Sequence, residues 1–198
     1  DLFAGLGELP KLEKLALTTN ASQLADMAPR LRDAGVNSVN ISLDSLQAPR
    51  FKVITRTGDL NRVLEGIDAA IAQGIDRIRL NVVVLDGLNR DEVLPLTQFA
   101  LAKNIHISFI EEMPLGQVNV GGKPLAYVSS DALHAELSEH CCLEPLSAED
   151  TAGPSRDYLI SGSATRVGFI SPHSNTFCAQ CNRLRISAEV RLLMCLGN

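Results

Sequence analysis

Short apolar runs alternate with helix-length stretches through the first two-thirds of the chain. Leu15-Ala16-Leu17-Thr18-Thr19, Val39-Asn40-Ile41-Ser42-Leu43, Ile78 to Val84 and Ile105 to Ile110 are β-type. The third is nearly all apolar at its end, as expected of a strand buried on both sides. The first intervening helix is expected to be capped by Asp26, with Pro29 in its first turn and Gly35 as its stop. Asp59 is expected to cap the second, whose Val63, Ile67, Ala70 and Ile71 share one face up to Gly74. Asn89 and Glu92 fit a capping box for a third helix that reaches about Lys103. Strands joined through helices are parallel neighbours, so the expected class is α/β.

A doubly wound sheet and a (βα) barrel both fit this order. Polar residues gather at or beyond the ends of successive strands: Thr18, Thr19 and Asn20; Ser42, Asp44 and Ser45; Asn81; Glu111, Glu112 and Met113. Both architectures hold their ligands there. Ordinary turn chemistry would also account for Thr, Asn and Ser at such positions. After Met113 the pattern breaks into a loop with Gly116, Gly121, Gly122 and Pro124. A helix from Ser129 or Ser130 to about Glu139 follows, then a Pro/Ser/Glu-rich, exposed stretch over 144–156. Two short β-type runs, Tyr158-Leu159-Ile160 and Arg166 to Ser171, lead to a cysteine-bearing segment.

Composition closes off several classes. With 45% apolar and 21% charged residues the chain is globular rather than disordered. A net charge of −5 argues against a general nucleic-acid surface. Apolar runs such as Val82-Val83-Val84-Leu85 fall far short of the ~20 residues of a membrane span. The chain opens at Asp1 without a signal-peptide pattern and stops just after Cys195. It is therefore expected to be a piece of a longer, cytoplasmic protein.

Five cysteines, an odd number, do not suit a disulfide-stapled secreted domain. Cys141 and Cys142, near the end of a helix, read as small packing residues. Cys178-Ala179-Gln180-Cys181 and Cys195 form C-x2-C-x13-C, a metal-ligand spacing. Zinc with His173 as fourth ligand, a redox dithiol, and a [4Fe–4S] cluster with one open iron all fit it. Asn182-Arg183-Leu184-Arg185 follows directly, and in extended backbone Arg183 and Arg185 project to one side. Paired guanidiniums there suit an anionic ligand; two solvated surface arginines are the plainer reading.

Five motifs occur in order: Leu17-Thr18-Thr19-Asn20, Asn40-Ile41-Ser42-Leu43-Asp44-Ser45-Leu46, Asn81-Val82-Val83, Phe109-Ile110-Glu111-Glu112-Met113, and Phe177 to Arg185 with Cys195. Together they resemble the MoaA-type GTP 3′,8-cyclases, radical S-adenosylmethionine (SAM) enzymes of molybdenum cofactor biosynthesis. The resemblance covers essentially the whole chain. It implies a partial radical SAM (βα)6 barrel over 1–113 and a C-terminal extension over 114–198 carrying an iron–sulfur site. It implies that Cys178, Cys181 and Cys195 hold a [4Fe–4S] cluster that binds GTP. Thr18, Arg79, Arg183, Leu184 (through its backbone) and Arg185 would contact GTP, and Ser42 and Met113 would contact SAM. Arg79 stands at the position of a GTP-contacting lysine, and Ala21 where glycine is usual.

No C-x3-C-x2-C motif for a SAM-cleaving cluster is present. The resemblance places that second [4Fe–4S] cluster in a missing N-terminal part, so this chain alone is not expected to turn over. The implied reaction converts GTP to its 3′,8-cyclised dihydro product through a SAM-derived radical. Its implied partners are GTP, SAM and a downstream pterin synthase, with a homodimer left open and no nucleic acid or membrane. A zinc-stabilised α/β binding module and a radical SAM enzyme acting on a peptide are the alternatives.

Overall fold

The computed structural model of the chain describes residues 2–113, 119–120, 123–147, 154–174 and 184–193. A short helix α1 (Leu2–Gly7) precedes β1 (Ala16–Thr19), α2 (Leu24–Asp33), β2 (Ser38–Ser42), α3 (Ala48–Thr55) and α4 (Leu60–Ala72). Then come β3 (Arg77–Asp86), a 3-10 turn (Arg90–Glu92), α5 (Val93–Ala102) and β4 (His106–Glu111). The second half adds β5 (Asn119–Val120), β6 (Lys123–Pro124), β7 (Ala126–Tyr127), α6 (Ser130–Ser138), β8 (Leu143–Pro145), β9 (Ser155–Ile160) and β10 (Arg166–Ile170). A hairpin of β11 (Arg185–Ile186) and β12 (Leu192–Leu193) follows.

The main sheet runs β1-β2-β3-β4-β10-β9-β8, with β7 paired to the end of β3. β1, β2, β3, β4 and β10 are mutually parallel, while β9 and β8 return antiparallel. The fold is therefore α/β with a mostly parallel sheet. The strand–helix alternation continues past Met113, because α6 packs on β4 and β10 and serves as a further crossover. Alternation within the strands gives the sheet two unlike faces. Val39, Ile41, Leu80, Val82, Ile107, Phe109, Val167 and Phe169 turn to the helices and form the core with Leu24, Ile67, Leu96 and Leu133. The opposite face is polar along the rows through Arg79 and Asn81, and carries the apolar row Val83, Ile110 and Ile170 beyond them.

Local chemistry explains the helices. Asp59 accepts the Asn61 N–H at 3.0 Å and starts α4, whose Leu60, Val63, Ile67 and Ala70 are buried, while Ile71, expected on the same face, is exposed. Gly74, at φ +64°, ends it. Ser129 caps α6 by accepting the Ala132 N–H. Some expectations fail. Asp26 does not cap α2, which starts at Leu24 and carries Asp26 in its first turn and Pro29 inside. Thr19 Oγ1 and Asn20 Oδ1 accept the Ala21 and Ser22 N–H groups and make the turn into the helix instead. Pro29 gives the Ala25 carbonyl no N–H partner, and both residues lie on the exposed side, where water meets that carbonyl. Asn89 and Glu92 form no capping box either; both are buried and used in tertiary contacts described below. Glu144 and Pro145, in the stretch expected to be exposed, are exposed in the edge strand β8, whereas Cys142 is exposed rather than packed.

Ala21 adopts φ +57°, the left-handed region that favours glycine. The alanine at that position is thus a departure with a backbone cost. Its methyl group is fully buried against Gly66 of α4.

Candidate functional site

Strand register assembles the polar face row by row. Thr18 of β1 lies opposite Asn40 of β2, which lies opposite Arg79 of β3, which lies opposite His106 of β4. In the next row Ser42, Asn81, Ser108, Gly168 and Asp157 follow one another across β2, β3, β4, β10 and β9. Thr18, Ser42 and Arg79, drawn from three separate strands, thus share one face. Thr18 and Ser42 are exposed, and Arg79 is 8% exposed.

Arg79 is tied down from across the sheet. Its Nη1 donates to Asp157 Oδ1 at 2.9 Å and to Ser108 Oγ at 2.8 Å, and its Nη2 donates to Asp157 Oδ2 at 2.6 Å. Ser155 Oγ donates to Asp157 Oδ1 at 2.6 Å. Burial would raise the Asp157 pKa, but the Arg79 hydrogen bond and charge, Ser155 and Arg77 hold it below the usual carboxylate range. Arg77 lies 3.8 Å from the same carboxylate. Burial first, then the charges of Arg79, Arg77 and Arg166, push His106 down to about 4. Its neutral ring accepts the Arg166 N–H at Nδ1.

The loops beyond the strand ends are knotted together. Asp44 Oδ1 accepts the Val83 N–H at 2.8 Å, and burial raises its pKa despite that bond. Asn89 accepts the Leu85 N–H and donates to the Asp44 and Val83 carbonyls. Glu92 accepts from Ser45 Oγ, Leu46 N and Arg50 Nη1. A cleft of about 420 Å³ opens beside Ser42, with Asn20, Asp44, Thr57 and Arg62 in its wall.

Glu111, at the end of β4, is a second knot. Its carboxylate accepts the N–H groups of Ser130, His173 and Ser174 and the Ser174 hydroxyl. Burial raises its pKa, and these four donors together outweigh that and leave it lowered. The turn that precedes the cysteine-bearing segment is therefore pinned to the same end of the sheet as Ser42. The His173 ring stacks on Tyr127 at 4.0 Å.

Met113, two residues past β4, is 38% exposed. Leu184 and Arg185 are exposed in the β11 hairpin. Cys178, Cys181, Cys195 and Arg183 lie outside the described residues. Among the described residues no group of three or more His, Cys, Asp or Glu side chains is placed to hold a metal ion. No described helix is long and apolar enough to cross a membrane. Asp157, Ser108 and His106 were not singled out by local motifs; their signal is strand pairing between distant segments.

Residues 2–100 match the radical SAM superfamily, and residues 105–198 match the Molybdenum Cofactor Synthesis C family. A GTP 3′,8-cyclase of Ectopseudomonas mendocina (strain ymp) is 52% identical over 197 residues, covering 100% of this chain and 59% of that protein. One from Pseudomonas entomophila (strain L48) is 51% identical over 199 residues, with the same coverage. One from Marinobacter nauticus is 50% identical over 187 residues, 94% of this chain and 56% of that protein. The chain thus spans rather less than two-thirds of the length of the curated relatives it matches.

Proposed function

This chain belongs to the radical SAM superfamily, and we propose that it is the GTP-binding part of a GTP 3′,8-cyclase of molybdenum cofactor biosynthesis. The observation that carries the proposal is the 52% identity over 197 residues to a protein of that name. The fold supports it: a mostly parallel sheet with a polar face fits part of a radical SAM (βα)6 barrel over 1–113, with 114–198 as the extension.

On this reading Thr18, Arg79, Arg183, the Leu184 backbone and Arg185 bind GTP, and Ser42 and Met113 bind SAM. Cys178, Cys181 and Cys195 hold a [4Fe–4S] cluster. Three thiolates suit such a cluster, and the Glu111 clamp on His173 and Ser174 would carry the chain toward it from the ligand end of the sheet. When bound, SAM and the clusters supply the radical chemistry. The chain's own residues orient the nucleotide, compensate its charge and exclude water. A pterin synthase then consumes the product, and the protein works in the cytoplasm.

The test uses the longer protein that contains this chain. Anaerobic reconstitution should load about four irons at the Cys178, Cys181 and Cys195 site, and Cys178→Ala should lose them. Arg183→Ala and Arg185→Ala should keep the iron but bind GTP about tenfold to a hundredfold more weakly, as loss of a charge-assisted hydrogen bond requires. Stoichiometric zinc without iron uptake would favour a zinc-stabilised module instead.

A further inference from the structure

We propose that Asp157 is a positioning residue for the nucleotide: it locks the Arg79 guanidinium so that the fork's remaining edge faces the bound GTP. The inference rests on the reading that Arg79 contacts GTP, and extends it to a residue on the far side of β10. A guanidinium has five N–H donors in a rigid plane. Asp157 takes the two end-on donors and Ser108 takes a third, from Nη1. Nε–H and the second Nη2–H, the side-on edge, are the two that these bonds do not use. That edge is itself a two-donor fork of the shape that phosphate oxygens accept.

The surroundings are built for this lock. Asp157 is 4% exposed and is held in turn by the Ser155 hydroxyl. The carboxylate reaches Arg79 across β10 and β4 only because residue 168 is glycine. A Cβ there would lie 2.2 Å from Ser155 Oγ, 2.5 Å from Asp157 Oδ1 and 2.8 Å from Ser108 Oγ. A side chain at 168 would thus push aside three of the polar groups that fix Arg79. Lysine at position 79 could not do the same work. An ammonium bound to Asp157 keeps two further N–H donors but has no fixed plane to aim them, whereas the arginine fork holds the carboxylate on one edge and presents a second, fixed edge to the ligand. The arginine at a position where the resembling enzymes use lysine is thereby matched by its partner carboxylate in this chain.

Equilibrium binding of GTP to the cluster-loaded longer protein tests the proposal, with iron content and thermal midpoint as fold controls. Asp157→Asn is near-isosteric, and it should weaken GTP binding about tenfold. Placed on Arg79→Gln, which is itself weakened, Asp157→Asn should change affinity no further than twofold. Arg79→Lys should also bind weakly despite its charge. Affinity that is unchanged or raised in Asp157→Asn overturns the proposal, because then the carboxylate only neutralises Arg79. Equal losses from Asp157→Asn in both backgrounds overturn it too, since that is the mark of general damage. If Asp157→Asn does not fold, Ser155→Ala replaces it: a several-fold loss that vanishes on Arg79→Gln supports the lock, and no loss refutes it. Unchanged GTP affinity in Arg79→Gln would instead remove the underlying reading of Arg79.

Discussion

Glu92 gathers three donors from the loop after β2 and from α3. It is 2% exposed and accepts from Ser45 Oγ at 2.6 Å, Leu46 N at 2.7 Å and Arg50 Nη1 at 2.7 Å. Glu92→Ala leaves the Leu46 N–H without its acceptor, the Ser45 hydroxyl with only its longer 3.3 Å bond to the Gln47 carbonyl, and Arg50 with Asp91 alone, at about 1–3 kcal/mol for a buried group left unpaired. We expect the longer protein to lose about 2–4 kcal/mol in urea unfolding; an unchanged midpoint would mean that water reaches these donors. His106 makes a pH prediction at the same scale. Its folded pKa, about 4, lies below its ordinary 6.5, so the unfolded chain takes up the proton first. Stability that depends on the neutral ring is therefore present above pH 6.5 and is lost as pH falls from there toward about 4. The thermal midpoint should drop across that window, and His106→Asn should flatten the drop. An equal slope in the variant would assign the dependence elsewhere. Asp157 and Glu111, whose pKa values are lowered, lose their contributions only as pH falls through the more acidic carboxylate range.

Helix α4 meets the start of α2 at Gly66, where a Cβ would lie 3.0 Å from the Ala21 carbonyl oxygen and 3.0 Å from Leu24 Cβ. Gly66→Leu must therefore part the two helices, and overpacking of this kind costs about 1–3 kcal/mol. Unfolding of the longer protein should register that loss, while the protein that remains folded should bind GTP normally. Loss of GTP affinity at unchanged stability would contradict it. Which elements could be read from sequence follows from how local their causes are. The cap at Asp59, the apolar spacing of α4 and the stop at Gly74 all lie within the helix or beside it, and its ends fall where the residues put them. The start of α2 was hidden because Asp26 has cap chemistry, whereas the turn is made earlier by Thr19 and Asn20. Asn89 and Glu92 have capping-box spacing, yet their side chains are drawn to partners in β3 and in the loop after β2 that spacing cannot reveal. The insertion of β10 beside β4 is equally invisible locally, since its pairing joins residues far apart in the chain.

At the scale of the whole molecule, the polar face was legible strand by strand and its lock was not. Thr18 and Ser42 could be placed because each sits in a strand motif, and Arg79 because it lies two residues before the Asn81 motif; parallel pairing brings the three strands side by side. Asp157 is 78 residues from Arg79 in sequence and reaches it only through the β9–β10 return. The same division governs what this length of chain can do. The residues proposed for GTP, and the cysteines proposed for its cluster, are within the 198 residues; a C-x3-C-x2-C motif is not. Reductive cleavage of SAM requires a cluster that ligates SAM, and the one cluster proposed for this chain is given to GTP. We therefore predict that the chain alone, loaded with iron and supplied with SAM, GTP and a strong reductant, releases no 5′-deoxyadenosine. The longer protein under the same conditions should release it together with the cyclised nucleotide, both read by liquid chromatography. Release from the chain alone above a no-protein control would mean that Cys178, Cys181 and Cys195 serve SAM, and the division of labour proposed for the two clusters would have to be reversed.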